Sequence, residues 1–187
     1  MNSPKHGFTM IEILLVLGIM TILVALIIPQ FVGFNRNNMI REEARVVEDG
    51  LKTTQNLAAS GIQNTTSTID SYRFDLLQGS GDSGECYRGY RIVSIEKSTG
   101  LILETLETKE FACPVVVDNP PQNGFDFETV SGRPKVLTTN PATLNVCYEG
   151  LGAVGVQIDN LGRIFAGDLN NTITCSCATA CNTLVIP

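Results

Sequence analysis

The segment Phe8–Ile28 limits the fold of this chain more than any other feature, because only Glu12 among its 21 residues is charged. As an α-helix rising about 1.5 Å per residue, such a segment is about 30 Å long and can cross the hydrocarbon core of a bilayer. An ionised carboxylate within a membrane-spanning helix costs about 2.5 to 3.5 kcal/mol, so Glu12 needs a partner that offsets this cost. We therefore expect a single-pass membrane helix at residues 8–28.

The flanks of the apolar segment predict its orientation and its fate. Lys5 precedes it and Arg36 is the first Lys or Arg after it, a distribution that predicts a cytoplasmic N-terminus. The segment ends in Ile-Ile-Pro-Gln-Phe and lacks the small-x-small site of an ordinary secretory signal, so we expect it to be retained. The simplest alternative is an ordinary membrane anchor, in which the Glu12 carboxylate reaches the headgroup region.

Apolar residues continue at helical spacing beyond this segment, with charged residues on the other face. The pattern predicts one long helix over residues 8–59, whose second half is amphipathic and packs on another element. Pro29 removes an intrahelical hydrogen bond, so we expect a kink or a locally melted stretch near it. The apolar stripe consists of Phe31, Phe34, Ile40, Ala44, Val47, Leu51, Leu57 and Ala58.

Short β-forming segments separated by turn residues follow the helix. Val154, Val156 and Ile158 alternate with Gly155, Gln157 and Asp159, a pattern typical of a half-buried strand. The sequence therefore predicts an α+β chain in which residues 60–187 form an antiparallel β-domain, with a hairpin turn at 160–162. Strands are expected at 72–77, 87–96, 101–107, 111–117, 143–149, 153–159 and 162–167, and surface loops at Gln78–Glu85 and Asp118–Gly124.

All cysteines follow residue 85, in the part of the chain expected outside the cytoplasm, and their even number favours disulfides in an oxidising compartment. Zinc binding by the cluster Cys175-x-Cys177-x3-Cys181 is the alternative, but the only histidine is the distant His6. We expect no metal site, and the pairing stays open except that Cys175 and Cys177 are poorly placed to bond each other. The disulfide candidates are Cys86, Cys113, Cys147, Cys175, Cys177 and Cys181.

Charge and composition argue against two classes of function. A net charge of −6 without any cluster of Lys or Arg disfavours a surface built for nucleic acid. The chain has no histidine apart from His6, no G-x-S-x-G nucleophile motif and no glycine-rich phosphate loop before a helix. The acidic pair Glu104 and Glu107 lies in a strand-like segment and is expected in solvent. We therefore expect neither an enzyme nor a bound cofactor.

Residues 5–34, which read KHG and then FTMIEILLVLGIMTILVALIIPQF and beyond, resemble the N-terminus of type IV prepilins and type II secretion pseudopilins. In that family a membrane peptidase cuts after the glycine on the cytoplasmic side and methylates the new amine. The resemblance implies a cleaved leader at residues 1–7, a cut between Gly7 and Phe8, and N-methylation of Phe8. Pro29 stands where the family commonly has a helix-breaking proline.

The same resemblance implies a partner for Glu12. Its carboxylate pairs with the new N-terminal amine, either of its own chain or of the neighbour below it in a filament. Within an apolar bundle such a pair sets the axial register, because a stranded buried charge costs about 3 to 5 kcal/mol.

The β-domain carries a second resemblance. The stretch FDFETVSGRPKVLTTNPATLNV followed by VGVQIDNLGRIFAG resembles GspH/FimT-type minor subunits, which implies two small antiparallel sheets packed against the helix end. Some of those subunits bind DNA through an arginine-bearing C-terminal tail, but residues 170–187 contain no Lys or Arg. Since phosphate neutralisation supplies most non-specific affinity for DNA, this departure argues against binding of nucleic acid.

Together these features imply a structural subunit, minor rather than major, of a type IV pilus or a type II secretion-like pseudopilus. It would enter the inner membrane and then join a periplasmic or cell-surface filament. The implied partners are the prepilin peptidase, other pilin or pseudopilin subunits and the inner-membrane assembly platform. A binding module at the filament tip, for adhesion or DNA uptake, and the major pilin are the alternatives.

Overall fold

The computed structural model describes residues 9–61, 69–78, 86–113, 115–118, 120–148, 152–173 and 175, without the side chains of residues 27–32. The predicted leader with Gly7 and Phe8 lies outside these residues, as do Cys177 and Cys181. The chain divides into two compact units, Met1–Arg36 and Asn37–Pro187. The described elements are α1 (Met10–Ser60), β1 (Ile69–Gln78), β2 (Cys86–Glu96), β3 (Ile102–Glu110), β4 (Val116–Asp118), β5 (Gly124–Glu128), β6 (Ala142–Tyr148), β7 (Gly152–Ile158) and β8 (Ile164–Asn170).

Helix α1 confirms the prediction of one long N-terminal helix and ends one residue beyond the expected position, at Ser60. Its backbone is helical through Pro29, so the locally melted stretch that we allowed for is not present. A bend at Pro29 stays a prediction. Helical structure can continue through a proline when the lost hydrogen bond is the only break in the ladder.

The second half of α1 packs on the β-domain through one stripe of side chains, as its apolar spacing predicts. Five apolar residues of the stripe are fully buried, whereas Phe34 is exposed and Leu57 is only partly buried. Burial of a Val, Ile or Leu side chain stabilises the fold by about 1.5 to 3 kcal/mol. Thr54 lies on the same stripe, and its hydroxyl donates to the Gly50 carbonyl oxygen at 2.8 Å. The buried apolar members are Ile40, Ala44, Val47, Leu51 and Ala58.

Gly50 marks the closest approach of the helix to the sheet. A Cβ atom there would lie 2.7 Å from the Tyr90 ring and 2.9 Å from the Phe74 ring. These two rings stack on each other with centroids 4.6 Å apart. Glycine is therefore required at this position by the packing of the helix on β1 and β2.

The eight strands form one antiparallel sheet in the order β5-β1-β2-β4-β6-β7-β8, with β3 also paired to β2. This differs from the two small sheets that the second resemblance implies. The reason lies in β2, whose first residues Cys86 and Tyr87 pair with β4. From Gly89 onward β2 pairs with β3 instead, so one strand joins the two halves of the sheet.

Most predicted strands are present within a few residues of their expected bounds, but one predicted strand is much shorter than expected and one strand was missed. The segment 111–117 contributes only β4, a strand of three residues at Val116–Asp118. The predicted loop Asp118–Gly124 is followed directly by β5, a strand that the sequence did not predict and that pairs with β1. Phe125 and Phe127 of β5 are fully buried, so this missed strand supplies two of the largest core side chains.

The four cysteines within the described residues are all disulfide-bonded, as expected. Cys147 on β6 bonds Cys175, 28 residues later in the chain. This pairing agrees with the expectation that Cys175 does not bond Cys177. The bridge attaches the segment after β8 to the middle of the sheet.

Loss of this bridge should destabilise the fold. We expect the double variant Cys147→Ser, Cys175→Ser to lose about 3 to 4 kcal/mol, because the bridge closes a loop of a few tens of residues in the unfolded chain. Thermal unfolding of the full chain in detergent, compared with wild type under non-reducing conditions, measures the change. An unaltered melting temperature would contradict a structural role for the bridge.

Candidate functional site

The start of α1 places Glu12 in the first turn, three residues after the residue that caps the helix. The Glu12 backbone N–H donates to the Thr9 hydroxyl at 3.3 Å and to the Thr9 carbonyl oxygen at 3.1 Å. Thr9-x-x-Glu12 therefore follows the capping-box pattern, in which Ser or Thr caps and Glu or Gln stands third. A carboxylate at this position is also favoured by the positive end of the helix dipole.

Between Ile13 and Leu26 the surface of α1 is apolar and exposed on every side. Every residue from Thr9 to Leu26 is exposed, and Met10 and Ile11 expose 82% and 75% of their surfaces. Thr21 does not interrupt this surface, because its hydroxyl donates to the Leu17 carbonyl oxygen at 2.5 Å within the helix. A helix that is apolar all round is buried in its working environment, either by lipid or by other helices.

Among the described residues, no helix has an apolar stretch long enough to cross a membrane.

At the other end of α1, Gln55 connects the helix to two loops that are distant in sequence. Its side-chain amide donates to the carbonyl oxygens of Gly132, at 3.1 Å, and Gly162, at 2.8 Å. Both glycines have positive φ, and a Cβ on Gly162 would lie 2.5 Å from the Gln55 amide nitrogen. Gly132 and Gly162 each begin a Gly-Arg segment within the two stretches that resemble GspH/FimT-type subunits, and both segments therefore meet at one glutamine.

Replacement of Gln55 should loosen the contact between the helix and both loops. We expect Gln55→Ala to destabilise the chain by about 1 to 3 kcal/mol, because two carbonyl groups lose their donor. Gln55→Glu should destabilise more, since a carboxylate offers no donor to either carbonyl. Lys52→Ala, which removes a surface ion pair with Glu48, is the control and should change little. Equal melting temperatures for Gln55→Ala and wild type would contradict this role.

Glu43 is a buried carboxylate on α1, although the helical spacing placed it with the charged residues on the face opposite the apolar stripe. It exposes 9% of its surface, and its Oε2 makes no hydrogen bond to any residue that the structure describes. Burial raises the pKa of Glu43 above its ordinary value, although a hydrogen bond from the Ala112 backbone acts in the opposite direction. The helix therefore carries an acid whose protonated form the fold prefers.

This arrangement predicts a pH-dependent stability. Because the pKa of Glu43 is raised on folding, its favourable contribution is present below the ordinary value of 4.5 and is lost as pH rises through the raised value. We expect Glu43→Gln to melt at a higher temperature than wild type at pH 7, with the difference closing towards pH 4, roughly the ordinary Glu value. The exposed neighbour Glu42, changed to Gln, is the control. A difference that is the same at both pH values would contradict the assignment.

Four charged side chains join β1, β2 and β5. Arg73 donates to both carboxylate oxygens of Asp126, at 2.5 and 3.0 Å, and Arg91 donates to Asp75 at 3.4 Å. Burial raises the pKa of Asp75, while the charges of Arg73 and Arg91 lower it. The charges sum to zero beside a groove of about 360 Å³. This network holds the edge strand β5 in register and leaves no surplus charge for a ligand.

Within the described residues, the one group of potential metal ligands is Asp118, Cys147 and Cys175. The two sulfur atoms are bonded to each other, so they are not thiolates. The arrangement therefore supports the disulfide rather than the zinc alternative for these cysteines.

Residues 2–28 match the family model for the prokaryotic N-terminal methylation motif. No curated protein and no solved structure matches the chain. The match covers the predicted cleavage region, Glu12 and the apolar part of α1.

Proposed function

We propose that this chain, whose residues 2–28 form a type IV prepilin-type signal, is a structural subunit of a type IV pilus or of a type II secretion-like pseudopilus. The observation that carries the proposal is the coincidence of this motif with a helix that is apolar on every side and has Glu12 as its single charge between Met10 and Leu26. Such a helix needs other helices or lipid around it, and a filament core supplies the former.

Processing comes first in the proposed sequence of events. The prepilin peptidase cuts between Gly7 and Phe8 and methylates the amine of Phe8. The glycine leaves the backbone accessible, because it adds no side chain at the bond to be cut. After the cut Thr9 is the second residue of the mature chain, so the capping box with Glu12 lies at its very start.

Assembly then gives Glu12 its partner. Before assembly, residues 8–28 lie in the inner membrane as a single pass with the N-terminus in the cytoplasm. On transfer into the filament through the inner-membrane assembly platform, the Glu12 carboxylate meets the methylated amine of a neighbouring subunit. A bend of α1 at Pro29 would let the apolar segment and the second half of the helix follow different directions.

We further propose that the subunit is a minor one. Its β-domain has eight strands in the described residues. Its Gly132-Arg133 and Gly162-Arg163 segments resemble those of GspH/FimT-type subunits. The tail lacks basic residues, which argues against DNA as its ligand. No arrangement described above favours an enzymatic role or a bound cofactor.

Fractionation of cells that express the full chain tests the proposal. We expect the chain in sheared filaments of wild-type cells, as a small share of the total protein, and its absence from filaments of cells without the prepilin peptidase. A chain that stays in the membrane fraction of both cell types would contradict the subunit role. A chain that dominates the filaments would overturn only the minor assignment.

A further inference from the structure

Two of the described cysteines bond partners that lie beyond the described residues. Cys86 opens β2, and Cys113 lies in the connection between β3 and β4. Both are disulfide-bonded, yet the bridge between β6 and the segment after β8 is the one bridge whose two sulfur atoms both belong to described residues. Because the chain has six cysteines, Cys177 and Cys181 are left as the partners of these two.

The place where the described chain ends lies beside Cys86. Cys86 packs in one cluster with Cys147, and Cys175 contacts the same cluster. Residues 176–187, which we call the terminal segment, follow directly. Two residues of chain span at most about 7 Å, and the Cα atoms of bonded cysteines lie about 4.4 to 6.8 Å apart. The first cysteine of the terminal segment therefore starts within reach of Cys86.

Cys113 lies near the same cluster. It stands in a turn in which the Val115 backbone N–H donates to the Ala112 carbonyl oxygen at 2.8 Å. Val116 follows this turn and pairs with Cys147 on β6. Three residues of chain span at most about 11 Å, so Cys113 is close to the bridge from which the terminal segment begins. Both upstream cysteines are thus accessible to a short segment that holds two more.

We propose that Cys177 and Cys181 bond Cys86 and Cys113, one to each, and that the chain depends on a thiol–disulfide isomerase to reach this pairing. The terminal segment is then attached to the β-domain at two points besides Cys175. This inference goes beyond the proposed function and does not depend on entry into a filament.

The need for an isomerase follows from the order of the cysteines along the chain. Cys181 follows Cys177 by four residues, whereas the nearer upstream cysteine, Cys113, precedes Cys177 by 64 residues. In an unfolded chain, loop-closure entropy favours the short loop on the order of a hundredfold. A thiol oxidase, which removes two electrons and two protons from each pair of thiols, therefore forms the Cys177–Cys181 bridge first and leaves Cys86 to bond Cys113.

Disulfide exchange converts these two wrong bridges into the proposed ones without net oxidation. The isomerase thiolate attacks the Cys177 sulfur, forms a mixed disulfide and releases the Cys181 thiolate. This thiolate attacks one sulfur of the Cys86–Cys113 bridge and displaces the other cysteine as a thiolate. The displaced thiolate then attacks the Cys177 sulfur of the mixed disulfide, which forms the second bridge and returns the isomerase thiolate.

Tryptic digestion without reductant tests the pairing in full chain purified from membranes in detergent. Three cysteines share the last tryptic peptide, residues 164–187, because no Lys or Arg follows Arg163. After free thiols are blocked and the chain is denatured, we expect mass spectrometry to find this peptide linked to three others. The three are residues 74–88, 110–135 and 136–163, each with one cysteine.

The opposite pairing gives a different digest. A Cys177–Cys181 bridge leaves residues 164–187 linked to 136–163 alone, with 74–88 and 110–135 linked to each other. That pattern, or a blocked thiol on any of the cysteines, overturns the proposed bridges.

Oxidative refolding tests the dependence on an isomerase. Reduced and denatured full chain is returned to detergent with oxidised glutathione, with or without purified protein disulfide isomerase, and samples are quenched over time. We expect the isomerase to speed the appearance of the four-peptide product at least about tenfold, because the short loop is otherwise favoured. Equal yields of this product with and without isomerase at every time contradict the dependence.

Two controls isolate the exchange step. Cys147 and Cys175 are consecutive cysteines, so the link between residues 136–163 and 164–187 should form equally fast in both reactions. In the variant Cys86→Ser, Cys113→Ser the short loop has no competitor upstream, so the Cys177–Cys181 bridge should form at the same rate with and without isomerase. An isomerase effect of equal size on this variant contradicts the proposed origin of the delay.

Discussion

Glu12→Ala should be cleaved after Gly7 like wild type and should nearly disappear from sheared filaments. Residue 12 lies away from the cut bond, so the peptidase should not depend on its side chain. In the assembled state a neighbour's methylated amine would be buried without its counter-charge, which destabilises the assembly by about 3 to 5 kcal/mol. Insertion into the membrane should be unharmed, because alanine removes the cost of about 2.5 to 3.5 kcal/mol of placing a charged side chain in the bilayer. The measurement is the ratio of filament-bound to membrane-bound chain.

Two further variants separate the charge of Glu12 from its place in the capping box. Glu12→Gln keeps a residue that suits the third position of the box but removes the charge. Thr9→Ala removes the capping hydroxyl that accepts from the Glu12 N–H and keeps the charge. If pairing with the amine is the role of Glu12, Glu12→Gln should fail to assemble and Thr9→Ala should assemble. The reverse result would show that Glu12 acts as a helix-start residue.

Gly7→Val should leave the uncut precursor in the membrane and remove the chain from filaments altogether. The β-branched side chain of valine crowds the backbone next to the bond that the peptidase must reach. Immunoblots that resolve precursor from mature chain measure the cut fraction directly.

Gly18→Val is the matched control for this variant. Gly18 lies within the apolar segment, and a Cβ atom there would meet nothing within 4 Å. We expect Gly18→Val to be cut as wild type is. Normal cutting of Gly7→Val would remove the basis for placing the processing site at Gly7 and Phe8.

The elements that the sequence predicted well are those in which one period runs through many residues. The stripe from Ile40 to Ala58 repeats every three or four residues, and its burial against the sheet follows that spacing. The sequence also predicted the hairpin between β7 and β8. The turn requires a residue with positive φ, and Gly162 is that residue. In both cases the local pattern and the tertiary packing agree.

The features that escaped prediction depend on partners far away in the chain. Strand β5 is short and follows a Pro/Asn-rich loop, and its pairing with β1 brings Asp126 to Arg73, 53 residues earlier. Gln55 has no local signal, since its two acceptors lie 77 and 107 residues later. The pairing of Cys147 with Cys175 was one of many connectivities, and only the register of β6 and the segment after β8 selects it.

The N-terminus of the mature chain is the most direct test of this account. Intact-mass analysis and N-terminal sequencing of the chain purified from membranes and filaments should find a protein that begins at N-methylated Phe8. A mature chain that keeps residues 1–7, or one that is cut after the apolar segment, would contradict the assignment of this protein to the prepilin-processing route.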